Sequence, residues 1–105
     1  MILRIFQLNI GQAHGIIYRD YNDIKDKFDL SKYSIVYEDK EFQHINPLTN
    51  EPYEESIYEL LDHVFMKFNI GKKPETYRGH SLSVSDIIEI NGVMYYINGI
   101  GFKKL

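Results

Sequence analysis

Asn91-Gly92 stands between two apolar runs, Ile87-Ile88-Glu89-Ile90 and Val93 to Ile97. No other feature limits the fold so tightly. Both central residues of a two-residue type I′ turn need positive φ, which Asn tolerates and Gly adopts without steric cost. Such a turn fixes the register: Ile90 opposes Val93 and Ile88 opposes Tyr95. These four and Ile97 then share one buried face. Asn98-Gly99 marks a second turn or bulge, after which Ile100, Phe102 and Leu105 continue the sheet.

The other elements must supply the rest of that sheet and its cover. Ile2 to Ile10 alternates, with Ile2, Arg4, Phe6, Leu8 and Ile10 on one side and Leu3, Ile5, Gln7 and Asn9 on the other. Both sides are largely apolar, which predicts a central, well-covered strand. Gly11 and Gly15 flank a turn, and Ile16-Ile17-Tyr18 reads as a short extended piece. Tyr21, Ile24 and Phe28 recur at spacings of three and four, so Asp20 to Phe28 is predicted as a short amphipathic helix capped by Asp20 or Asn22. Tyr33 to Tyr37 is β-branched and aromatic, a strand. Asn46-Pro47, Asn50 and Pro52 make the following stretch a loop. Ile57, Leu60, Leu61, Val64, Phe65 and Phe68 form one apolar face through three helical turns. Glu51, Glu54 and Glu55 suit the start of that helix, and Gly71 its left-handed cap, with Pro74 beyond. The expected architecture is α+β, a mainly antiparallel sheet of four or five strands with two helices packed on one face.

Composition narrows the function classes. The 105 residues fit a single domain, 1–105, with 44% apolar and 26% charged residues in the globular range. Without cysteine there is no disulfide framework and no thiolate metal site, and a cytoplasmic location is expected. The segment MILRIFQLNI alternates and lacks a basic leader, so it reads as a strand and not a signal peptide. No apolar run approaches the roughly 20 residues of a membrane span. Net charge is −3 with 12 basic residues, scattered except for Lys72-Lys73 and Lys103-Lys104. Direct nucleic-acid binding, which needs a dense basic stripe, is not expected. The 15 acids are too nearly balanced for a DNA mimic.

Residues 79–86 read GHSLSVSD and hold the residue types of a hydrolytic triad. The stretch fails as a nucleophile elbow, because Ser83 stands where the second glycine belongs. His80 and Ser81 are adjacent, and neighbours in an extended chain point to opposite sides. The alternative is a structural corner. Leu82 and Val84 turn to the core while Ser81, Ser83 and Ser85 face solvent or backbone, and Ser83 and Asp86 close a small capped turn. On that reading Ser83→Ala and Asp86→Ala each lower stability by about 0.5–2 kcal/mol.

His14, His44, His63 and His80 form no H-x-H or H-x-x-x-H pair, so neither a metal site nor any cofactor is expected. His63 is placed at the edge of the helix's packed face and His44 in a loop. Tyr95-Tyr96 puts one ring on each sheet face, with Tyr96 beside Met94 and partly exposed. Such a ring stacks bases in RNA-recognition sheets, but the balancing positive charge is missing here. Ile10 to Gly15 has two glycines without the lysine of a phosphate loop.

Phe68-Asn69-Ile70, Pro74, and the run Tyr77-Arg78-Gly79-His80-Ser81-Leu82-Ser83-Val84-Ser85-Asp86-Ile87-Ile88 resemble the signature of the YodL-like family. Tyr33 with Val36-Tyr37, and Tyr96-Ile97-Asn98 before Gly101-Phe102, agree in order and spacing, so the resemblance spans residues 1 to 105. The chain departs from the pattern at Asn98, where the family tends to have Asp, and in the loop Gln43–Pro52. The resemblance implies a small bacterial domain of Firmicutes and their relatives, frequent on conjugative elements and phages. It occurs there alone or inside large proteins with antirestriction-type modules. The resemblance brings no enzyme activity with it, so no catalytic residue is carried over.

The resulting expectation is a non-catalytic protein-interaction domain acting on a host protein, for example an anti-defence inhibitor encoded on a mobile element. Arg78, His80, Ser81, Ser83, Ser85, Asp86 and Tyr96 are its candidate partner contacts. No membrane partner is expected. The alternatives are a nucleic-acid-associated accessory domain of a conjugative element, using Lys72, Lys73, Arg78 and His80, and a hydrolase using His80 and a serine. A free edge strand would permit self-association.

Overall fold

The computed structural model describes residues 1–105. Five strands form one antiparallel sheet in the order β2-β1-β5-β6-β7. They are β1 (Leu3–Leu8), β2 (Tyr33–Asp39), β5 (Ile87–Ile90), β6 (Val93–Ile97) and β7 (Phe102–Lys104). Between β2 and the long helix, β3 (Ile45–Asn46) and β4 (Glu51–Pro52) pair as a separate two-stranded ribbon. The helices are α1 (Tyr21–Ile24) and α2 (Ile57–Asn69).

The hairpin has the predicted register, Ile90 opposite Val93 and Ile88 opposite Tyr95, with Asn91 at φ 49° and Gly92 at φ 85°. β1 is central, as its two apolar sides require. The α+β class stands, but the helices do not share a face. Leu60, Leu61, Val64 and Phe68 of α2 pack with Leu3, Ile5, Ile88, Ile90, Tyr95 and Ile97 in a core of 13 buried residues. Ile24 of α1 packs on the opposite side with Phe6, Ile16, Tyr33, Ile87 and Tyr96, a second core of six. The reason is in the strands: residues that alternate away from the α2 face are themselves large and apolar, and one helical layer would leave them wet. Tyr96 is accordingly fully buried, not partly exposed as its neighbour Met94 suggested. Its hydroxyl donates to Arg19 O at 2.7 Å.

The second face is covered mostly by loop. α1 ends after four residues, short of the predicted Phe28. Asp20 does not cap it with its side chain. Asp20 Oδ1 instead accepts from Gly99 N–H at 2.7 Å, and Asn98 Oδ1 accepts from Tyr21 N–H at 2.8 Å. Asn98 thus keeps the acceptor that an Asp would offer. Residues 16–18 are turn and not extended, with the N–H groups of Ile16 and Ile17 both donating to Ala13 O and Tyr18 at φ 64°.

α2 begins in a capping box: Ser56 Oγ accepts from Glu59 N–H, and the Glu59 carboxylate accepts from Ser56 N–H, a pattern legible as Ser-x-x-Glu. Gly71 is not left-handed as predicted, since it is absent from the positive-φ residues. It is small because a Cβ there would lie 2.6 Å from Lys67 O. Both edges of the sheet are blunted. β7 is short and carries Lys103 and Lys104. β2 is bulged at Val36, where Phe6 pairs with Ile35 and Ile5 with Tyr37. These devices oppose strand-to-strand self-association.

Candidate functional site

The segment from Tyr77 to Asp86 joins α2 to β5 and is tied down at four places. Leu82 N–H donates to Phe68 O at 2.9 Å and Asn69 Nδ2 to Leu82 O at 2.7 Å, which seats Leu82 in the main core. Arg78 N–H donates to Val36 O, on the β2 bulge, at 2.9 Å. The third tie is the Gln7 amide, reaching across from β1. Its Oε1 accepts from His80 N–H at 3.1 Å, and its Nε2 donates to His80 O at 2.9 Å and to Asp86 Oδ2 at 3.0 Å. Asp86 Oδ2 also accepts from Ser83 N–H at 2.9 Å, the three-residue turn expected from the sequence. The fourth tie is Ser85. It is fully buried at φ 82°, donates through its N–H to Ile97 O, and accepts Tyr33 Oη–H on its carbonyl and Tyr18 N–H on Oγ.

Burial dominates the electrostatics. It pushes the Asp86 carboxyl from its ordinary 3.8 up to about 6, against the lowering pull of Ser83 N–H, His80 and Gln7. The phenols of Tyr33, Tyr77 and Tyr96 are pushed well above their usual value by the same cause.

The seven candidate contacts therefore divide. Ser85, Asp86 and Tyr96 are buried and out of a partner's reach, because their polar atoms close the protein's own hydrogen bonds. Ser83 is half-buried and its hydroxyl is buried with no hydrogen-bond partner. Arg78, His80 and Ser81 are exposed. His80 Nδ1 lies 2.7 Å from the Ser81 carbonyl oxygen, so the ring addresses a backbone acceptor and not a serine hydroxyl. Arg78 and His80 border an open groove of about 420 Å³ floored by Gln7, Asn9 and Ser34, with Ile10 fully exposed at its rim.

The division reverses one stability expectation. Ser83 works through its backbone N–H and not its hydroxyl. Ser83→Ala removes a buried, unpaired oxygen and is expected to be neutral or to stabilise by up to ~1 kcal/mol. A thermal-unfolding midpoint lowered by several degrees would contradict this.

A second constellation lies elsewhere. His44, just before β3, and His63, on α2, both turn Nδ1 toward Glu55, at 2.7 Å and 2.6 Å. The sequence spacing gave no sign of it, because residues 44 and 63 meet only when the β3–β4 ribbon folds back on the start of α2.

A family model described as the YodL-like domain matches residues 2–105. The chain belongs to the YodL-like family. No curated protein and no solved structure matches it. In this YodL-like domain the run Tyr77 to Ile88 is the corner that binds β1, β2, β6 and α2 to one another. No helix of this YodL-like domain is long and apolar enough to cross a membrane.

Proposed function

We propose that the chain is a non-catalytic interaction domain that acts in the cytoplasm on a host protein, as an inhibitor of the anti-defence kind encoded on a mobile element. One observation carries the reading: the run Tyr77 to Ile88 separates its polar groups into two sets. Ser85 and Asp86 are engaged with the protein itself, Asp86 through Gln7 of β1, which supports a structural and not a chemical use. Arg78, His80 and Ser81 are left at the surface beside the groove. Arg78 takes part in none of the ion pairs of the chain. An unpaired guanidinium next to an exposed isoleucine suits an extended protein segment with a carboxylate for Arg78 and an apolar side chain for Ile10.

The test is capture from lysate of the native host, with and without nuclease treatment, by the wild type and by Arg78→Glu. The expected result is one specific protein, with recovery reduced ~10-fold or more by the charge reversal at an unchanged melting temperature. Absence of any specific protein from the wild-type capture would sink the proposal. Recovery that vanishes on nuclease treatment would favour the accessory domain on nucleic acid, in which Lys72, Lys73, Arg78 and His80 contact phosphates.

A further inference from the structure

We infer that His44, Glu55 and His63 form a binding site for one divalent transition-metal ion of the zinc class. The three side chains come from three segments: the residue before β3, the residue before the Ser56 cap of α2, and the second turn of α2. Their candidate ligand atoms all lie within 4.8 Å of one another. The Glu55 carboxylate is the centre. Its side chain is only 8% exposed, yet its ion-pair partners are the two imidazoles alone, one on each oxygen. A carboxylate held out of water, with an imidazole nitrogen against each oxygen, calls for a positive partner at its centre. A dication supplies it.

The imidazoles are held ready for that role. The His44 ring stacks on Tyr53 with centroids 4.4 Å apart and planes at 24°. Its backbone is fixed by Tyr53 N–H donating to His44 O at 3.0 Å. The His63 ring sits 4.5 Å from that of His44, on a helix whose own position is set by the main core. Cavities of about 270 Å³ and 240 Å³ flank the trio, the first lined by Phe42, Ile45 and Lys67 and the second by Tyr53 and Pro52. They give room for solvent ligands.

Two imidazoles and one carboxylate make a set suited to Zn²⁺, Co²⁺, Ni²⁺ or Cu²⁺ and not to Mg²⁺ or Ca²⁺, which prefer oxygen. Three protein ligands leave at least one coordination position for water or a partner's donor. The separations of 2.6–2.7 Å are those of hydrogen bonds. Metal–ligand bonds of about 2.0–2.1 Å at tetrahedral angles hold ligand atoms roughly 3.3 Å apart, so binding lengthens each of these two separations by less than about 1 Å. With Nδ1 on the metal, each imidazole carries its proton on Nε2.

Titration of the untagged, metal-free protein with Zn²⁺ at pH 7.5 tests this. The expected result is one ion per chain at micromolar or tighter affinity, weakened at least tenfold by Glu55→Gln and by His63→Ala and unchanged by His14→Ala. His63 is exposed, so its variant folds, and far-UV circular dichroism verifies that. Cobalt(II) substitution should give a visible d–d absorption that the same two variants lose. Failure of the wild type to bind at 100 µM added zinc, or binding that His63→Ala leaves intact, overturns the assignment.

Discussion

Asp86→Ala is expected to lower the melting temperature by roughly 10–25 °C at pH 4–5, a loss of about 3 kcal/mol. The substitution strands Ser83 N–H, takes one acceptor from Gln7 Nε2, which keeps His80 O, and opens a cavity under the corner. The size of the loss depends on pH in a fixed direction. The folded-state value of about 6 lies above the ordinary 3.8, so the folded protein binds the proton more tightly than the unfolded chain. The stability that Asp86 contributes is therefore fully present below about pH 4 and is lost as pH rises through about 6. Unfolding curves of wild type and variant between pH 4 and pH 8 should converge by about 2 kcal/mol. The groups facing Asp86 are His80, Gln7 and Ser83 together with the phenols of Tyr33, Tyr77 and Tyr96. The phenols stay neutral over this range. A difference that grows toward pH 8 would mean that the carboxylate, and not the acid, is the form the fold prefers.

Gly79→Ala is expected to cost about 2–4 kcal/mol, far above a usual loop substitution. A Cβ at Gly79 would stand 2.0 Å from Gln7 Oε1 and 3.0 Å from Val36 Cβ. The end of a glutamine usually swings aside at little cost, but this one is 3% exposed and bonded to His80 and Asp86. Moving it breaks those bonds as well. The clash being with one side chain, Gly79→Ala should cost at least ~1 kcal/mol less in a Gln7→Ala background. Denaturant unfolding of the two single variants and the double variant measures that coupling. Additive losses would place the strain on the Val36 bulge instead.

What the sequence made legible was set by local chemistry. The Asn91-Gly92 turn, the two-sided alternation of β1 and the apolar stripe of α2 each follow from a short-range rule, and each has its predicted place. The opposite placement of α1 was present in Phe6, Ile87 and Tyr96, large residues on the wrong side for a single helical layer. The corner of GHSLSVSD was recognised through Leu82 and the Ser83–Asp86 spacing. Gln7, which binds it from 73 residues away, could not be assigned from spacing, because an isolated Gln in a strand reads as an edge residue. The same holds for His44 and His63: pairs that a fold brings together leave no periodic trace.

The sheet order has a consequence for how the chain acquires its structure. β1 precedes the other strands of the sheet and is an interior one, with β2 on one flank and β5 on the other; Leu3 pairs with Asp39 on the first and with Ile90 on the second. At a synthesis rate of about 5–20 residues per second, roughly 2–10 s separate the emergence of β2 from that of β5. During that interval the edge of β1 that β5 takes is unpaired. Arg4 of β1 meets Glu89 of β5 across 85 residues of sequence, and non-local pairing of this kind slows folding. The sheet closes only when the C-terminal hairpin arrives to take that edge of β1.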